Sequence, residues 1–83
     1  MTRNQIKKFA NLLRDRRFKI RPGCKVTVST KTFKTTTLFT IEGQMKNRNW
    51  LPLKFPNGRW YFKSQKTRNA VFQSITATIK EAA

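Results

Sequence analysis

Between Trp50 and Lys63, aromatic rings alternate with cations, and no other stretch of the chain is as pointed chemically. Trp50-Leu51-Pro52-Leu53-Lys54-Phe55 and Arg59-Trp60-Tyr61-Phe62-Lys63 flank Pro56-Asn57-Gly58. Asn-Gly supplies the two positive φ values of a type I′ turn, so a hairpin is expected here. With Asn57 and Gly58 as a two-residue loop, Phe55 faces Trp60 and Leu53 faces Phe62. One side then carries Leu51, Leu53, Phe55, Trp60 and Phe62 and packs inwards. The other presents Trp50, Pro52, Lys54, Arg59, Tyr61 and Lys63, where cations meet phosphates and rings stack on bases or sugars. A competing reading makes Trp50 and Tyr61 the cover of a second hydrophobic layer, with the lysines snorkelling round them.

Two further groups of cations could serve the same chemistry. Lys63, Ser64, Lys66, Thr67, Arg68 and Asn69 gather at an expected helix start. Free amides and a partial positive charge there suit a phosphate. Cations oppose the helix dipole at that end, which makes better sense if an anion binds. Arg14, Arg16, Arg17, Lys19 and Arg21 form the other group and continue towards Lys25. The candidate contacts are thus Lys54, Arg59, Tyr61, Lys63, Lys66, Arg68, Arg14, Arg16, Arg17, Arg21 and Trp50. Phe33, in Lys31-Thr32-Phe33-Lys34, could act as a groove-entering wedge, but a loop phenylalanine is expected to fold back on the core.

Catalysis has little to draw on. There is no histidine to act as acid or base near neutrality. Asp15, Glu42 and Glu81 fall on three separate elements, which argues against a carboxylate pair. One cysteine without histidines leaves a structural zinc site almost no ligands. No Gly-rich phosphate loop is present. The expectation is a non-enzyme without metal or cofactor.

Few elements are needed to position these residues. Ile6, Phe9, Ala10 and Leu13 fall on one stripe of a helix from about Arg3 to Arg17, with Thr2 and Gln5 spaced as a capping box. Arg21-Pro22-Gly23 is expected to break it. Val26 and Val28 alternate with polar residues as a short half-buried strand. Thr35 to Glu42 is β-branched and reads as a second strand, ended by Gly43. Pro52 places its own strand at an edge or an interruption. Val71, Phe72, Ile75 and Ile79 stripe a second helix from about Gln65 to Glu81, with Ser64 as N-cap. The expected fold is a single α+β domain: helix, three- to four-stranded antiparallel sheet, helix.

This order is similar to that of double-stranded-RNA-binding domains, and Lys63-Ser64-Gln65-Lys66-Thr67-Arg68-Asn69-Ala70 resembles the basic start of that family's second helix. That family's Gly-Pro-x-His loop has no counterpart, and Val71-Phe72-Gln73 replaces its alanine-rich continuation. HicA-type toxins share the layout, but their activity depends on a histidine absent here. A three-stranded sheet followed by a helix also resembles the DNA-reading domains of phage integrase arms. These likenesses stay at the level of topology and define no family.

Composition sets the partner class. Among 83 residues, 19 are Lys or Arg and 3 are Asp or Glu, a formal charge of +16 that repels itself and attracts polyanions. Seven Phe, two Trp and one Tyr supply bulk for a small core. The lone Cys24 forms no internal disulfide, and no apolar run reaches bilayer length. The chain is therefore expected to be intracellular, in cytoplasm or nucleoid, and not on a membrane. Its expected partner is nucleic acid, DNA before RNA, gripped through phosphates with low sequence specificity. Two alternatives stand beside this. One is a regulator or inhibitor docking on an acidic surface of a nucleic-acid-processing protein, and the other is a ribonucleoprotein component.

Overall fold

A computed structural model describes residues 2–81. Helix α1 (Arg3–Asp15) opens with the expected capping box: Thr2 Oγ1 accepts from the Gln5 amide at 3.2 Å, and Gln5 Oε1 accepts from the Thr2 amide at 3.0 Å. Three antiparallel strands follow, β1 (Ile20–Val28), β2 (Thr35–Gln44) and β3 (Trp50–Pro52), in the order β1-β2-β3. Helix α2 (Gln65–Glu81) ends the described chain. Ser64 Oγ accepts from the Thr67 amide at 3.4 Å, the cap expected at its start. The architecture is the expected α+β order with three strands.

Both helices turn their apolar stripes to one core. Ala10 and Leu13 of α1, Ile41 of β2, Phe55 after β3, and Ile75 of α2 are buried, with Ile6, Phe9, Phe18, Ile20, Leu53, Phe62, Val71, Phe72 and Ile79 packed around them. Phe55 is central: its ring centre lies 5.0 Å from that of Phe9 and 5.3 Å from that of Phe62. Tilted ring pairs at such separations are favourable beyond the area they bury.

Three expectations are corrected by the structure. First, Arg21-Pro22-Gly23 lies inside β1, not in a breaker. β1 is an edge strand, so Pro22 can occupy a position whose missing amide breaks no ladder. The partner of Pro22, Ile41, turns its carbonyl the other way, to the Leu53 amide at 2.8 Å.

Second, the segment from Trp50 to Lys63 is not a regular hairpin. The Phe55 amide donates to Arg59 O at 2.8 Å and the Gly58 amide to Phe55 O at 2.9 Å, and Gly58 alone in the loop has positive φ, at 83°. This is a three-residue loop with glycine in the left-handed position, one residue out of register with a type I′ turn. β3 stops at Pro52, and only Phe62 returns to pair with Phe39 of β2. Leu53, Phe55 and Phe62 do reach the core. Leu51 is 51% exposed, and Trp60 lies outside the core cluster.

Third, the distal half of β1–β2 is not half-buried. Every residue from Cys24 to Thr37 is exposed, on both faces of the ribbon. Phe33 is 82% exposed and does not fold back. The radius of gyration, 13.8 Å, exceeds the roughly 12 Å of a compact chain this long. The hairpin is an arm.

Candidate nucleic-acid interface

Cross-strand pairing sorts the sheet's side chains. Ile20 and Ile41 share the face that the helices cover. Arg21, Gly23, Lys25, Thr40, Glu42, Trp50 and Pro52 alternate onto the opposite face. Here Arg21 Nε donates to Glu42 Oε1 at 2.9 Å, and its guanidinium lies 4.3 Å from the centre of the Trp50 ring. Gly23 leaves room for this pair, because a Cβ there would come within 2.7 Å of Glu42 Cδ. Arg21 and Trp50, both candidates, are thus joined as a stacked pair whose charge is partly met by Glu42. Further along, Lys25 Nζ lies 5.5 Å from the Trp60 ring centre. Trp60 is itself edge-on to Tyr61 at 5.1 Å.

Tyr61 leads into a cleft at the start of α2, lined by Phe55, Asn57, Arg59, Phe62, Lys63, Ser64 and Thr67. The Asn57 side chain holds the Arg59 amide at 3.0 Å, so the loop that carries Arg59 is braced from within. Arg59 and Lys63 are exposed and have no carboxylate neighbour among the described residues. The structure gathers the Arg59–Lys63 run and the hydroxyl-bearing start of α2 round one cleft. Lys25, Trp60 and Tyr61 extend this surface to the base of the arm. Lys54 is exposed but does not line the cleft. Lys66 stands on an exposed face of α2 beside Gln65, Asn69 and Gln73.

Arg68 has a different task. It is only 6% exposed, its Nη1 donates to Gly23 O at 2.6 Å and Thr40 O at 3.3 Å, and its Nε donates to Asn69 Oδ1 at 2.8 Å. Its guanidinium also lies 5.4 Å from the centre of the Phe39 ring. This arginine ties α2 to the sheet and is removed from the candidate contacts.

The cations after α1 form a second cluster. Arg16, Arg17 and Lys46 line a depression with Phe18, Gln44 and Met45, while Arg14 turns to Asp15 at 3.4 Å. Arg17 occupies the left-handed region at φ 54°, where helices usually place glycine. Its amide bonds Arg14 O at 3.0 Å, and the Phe18 amide bonds Leu13 O at 3.0 Å, closing the helix. A long cation there costs about 1 kcal/mol against glycine. We expect Arg17→Gly to raise the melting temperature by about 4–8 °C and to weaken polyanion binding, measured by calorimetry and by titration. A rise in stability with unchanged binding would leave Arg17 without a role in the interface.

Lys25 and Trp60 stand outside the contacts expected from sequence, although a one-residue slip in register turns Trp60 outward. The strand of Val26 and Val28 is expected to be half-buried, not an arm. The signal for the arm was available. Val26 and Val28 stand opposite Thr37 and Thr35, a pairing too small and polar to cover a core. Among the described residues no group of acidic, cysteine or histidine side chains could hold a metal ion, and no helix is long and apolar enough to cross a membrane. Compared with protein-family models, curated proteins and solved structures, the chain matches none of them.

Proposed function

We propose that this is a small non-enzymatic protein that binds nucleic acid, duplex DNA before RNA, by gripping its phosphate backbone with low sequence specificity. The observation that carries this reading is the surface running from Lys25 through Trp60 and Tyr61 to Arg59 and Lys63. It places exposed cations that have no carboxylate partner among the described residues beside aromatic rings. Cations so placed release condensed counterions when they meet phosphates, and rings beside them offer stacking to bases. Such contacts position a protein on a duplex without specifying sequence. An intracellular location, in cytoplasm or nucleoid, belongs to the same proposal.

The test is a mobility shift on random-sequence duplex DNA, single-stranded DNA and double-stranded RNA at about 150 mM salt, run beside a pull-down from nuclease-treated lysate. The expected result is a shift of duplex DNA with little preference among sequences. Failure with every probe, together with retention of one acidic protein, would replace this reading with that of a protein-binding regulator. Retention of a defined RNA would favour a ribonucleoprotein component.

A further inference from the structure

The arm formed by the distal halves of β1 and β2 is too small and polar to build a core, yet it carries an exposed phenylalanine at its tip. The Ser29 amide donates to Lys34 O at 3.0 Å and the Phe33 amide to Ser29 O at 2.8 Å, so the loop from Thr30 to Phe33 is a closed turn. Phe33 sits in that turn at φ 54° and is 82% exposed. A bulky residue is disfavoured in left-handed backbone, and an exposed ring gains nothing from packing to offset it. Cross-strand pairing gives the arm two dissimilar sides. Val26, Val28, Thr35 and Thr37 make one slender, mildly apolar side; Lys25, Thr27 and Thr36 share the other, and Lys34 pairs with Ser29 at its end. From Arg16 to Ile41 the chain contains no acidic residue.

We propose that this arm enters the minor groove of duplex DNA and drives Phe33 between base pairs, bending the duplex. The inference rests on the reading of the protein as a nucleic-acid binder and adds a mode of engagement to it. From Lys25 to Ser29 the ribbon spans roughly 13 Å, which exceeds the depth of either groove of B-DNA. Two strands about 4.8 Å apart exceed the roughly 6 Å minor groove once side chains are added, so the ribbon enters as the bend opens that groove. Slender Val and Thr side chains keep the required opening small, and Lys25, Lys31 and Lys34 are the cations available to phosphates on its walls. An apolar ring at the tip is the residue type that unstacks a base step and kinks DNA away from the minor groove. A second copy of the chain is the other possible occupant of an open ribbon edge. Its own charge of +16 opposes that pairing, whereas a polyanion is drawn to the same surface.

The experiment uses a 30-base-pair random-sequence duplex labelled at both ends, with energy transfer reporting its end-to-end distance. The full chain is expected to shorten that distance. Phe33→Ala should bind about ten-fold more weakly, with an unchanged salt dependence and without the shortening; saturating the duplex beforehand with a minor-groove-binding drug should also remove it. Because Phe33 is so exposed, Phe33→Ala should melt with the parent protein, and a melting curve checks this. If Phe33→Ala bends DNA as well as the parent, or the drug leaves the bend intact, the arm proposal falls while phosphate binding stands. If the parent binds no duplex, the functional reading itself falls. Sedimentation showing a parent dimer that Phe33→Ala dissociates, with no bend in either, would assign the arm to self-association and overturn the proposal.

Discussion

Reversing charge at Arg59 and Lys63 together should lower affinity for duplex DNA by roughly a hundred-fold or more at about 150 mM salt. Each residue that meets a phosphate releases close to one counterion, and a glutamate in its place adds repulsion to the lost release. Losing two such contacts should also flatten the dependence of log affinity on log salt by about two. Both side chains are exposed and neither takes part in a described ion pair, so the fold should survive the change. Lys54→Glu is the informative comparison, because Lys54 is equally charged but stands outside the cleft. It should weaken binding much less. Fluorescence anisotropy across a salt series measures all three proteins, and equal affinities would remove the cleft from the interface.

A charge-reversal scan would also find Arg68, for another reason. Arg68→Glu would press a carboxylate against the carbonyl oxygens of Gly23 and Thr40 in a site only 6% exposed, and should leave the chain unfolded. Arg68→Ala removes the same two charge-assisted hydrogen bonds and the cation above Phe39 without adding charge. It should cost about 2–3 kcal/mol and lower the melting temperature by about 8–24 °C. Below that temperature the variant should bind duplex DNA with nearly parental affinity. Arg68→Ala that melts normally but fails to bind would return Arg68 to the interface.

How far the sequence could be read depended on whether a signal was complete within one element. Both helices were legible because a 3.6-residue stripe and a capping side chain lie within each segment, and α2 runs from Gln65 to Glu81 as expected. The loop at Pro56-Asn57-Gly58 was not, since Asn-Gly serves a two-residue and a three-residue connection almost equally. The choice between them accompanies the contacts of Phe55 with Phe9 and Phe62, which no local pattern encodes. The one-residue shift helps explain why Trp60 leaves the core side and meets Lys25.

Arg68 was misread from its charge, although its spacing held the answer. It stands four residues before Phe72 and seven before Ile75, at the head of the stripe that α2 turns to the core. Phe33 was misread by the opposite habit, in which a large ring in a loop is assumed to seek the interior. The strand pairing around it, with threonines opposite valines and lysines nearby, supplies no interior to seek.

If the surplus of cations holds a phosphodiester backbone, affinity for random-sequence duplex DNA falls steeply across a salt series. With about six to eight phosphates neutralised, log affinity should fall against log salt with a slope of roughly −5 to −7. An affinity that hardly changes from low to physiological salt would mean that these cations do not hold phosphates.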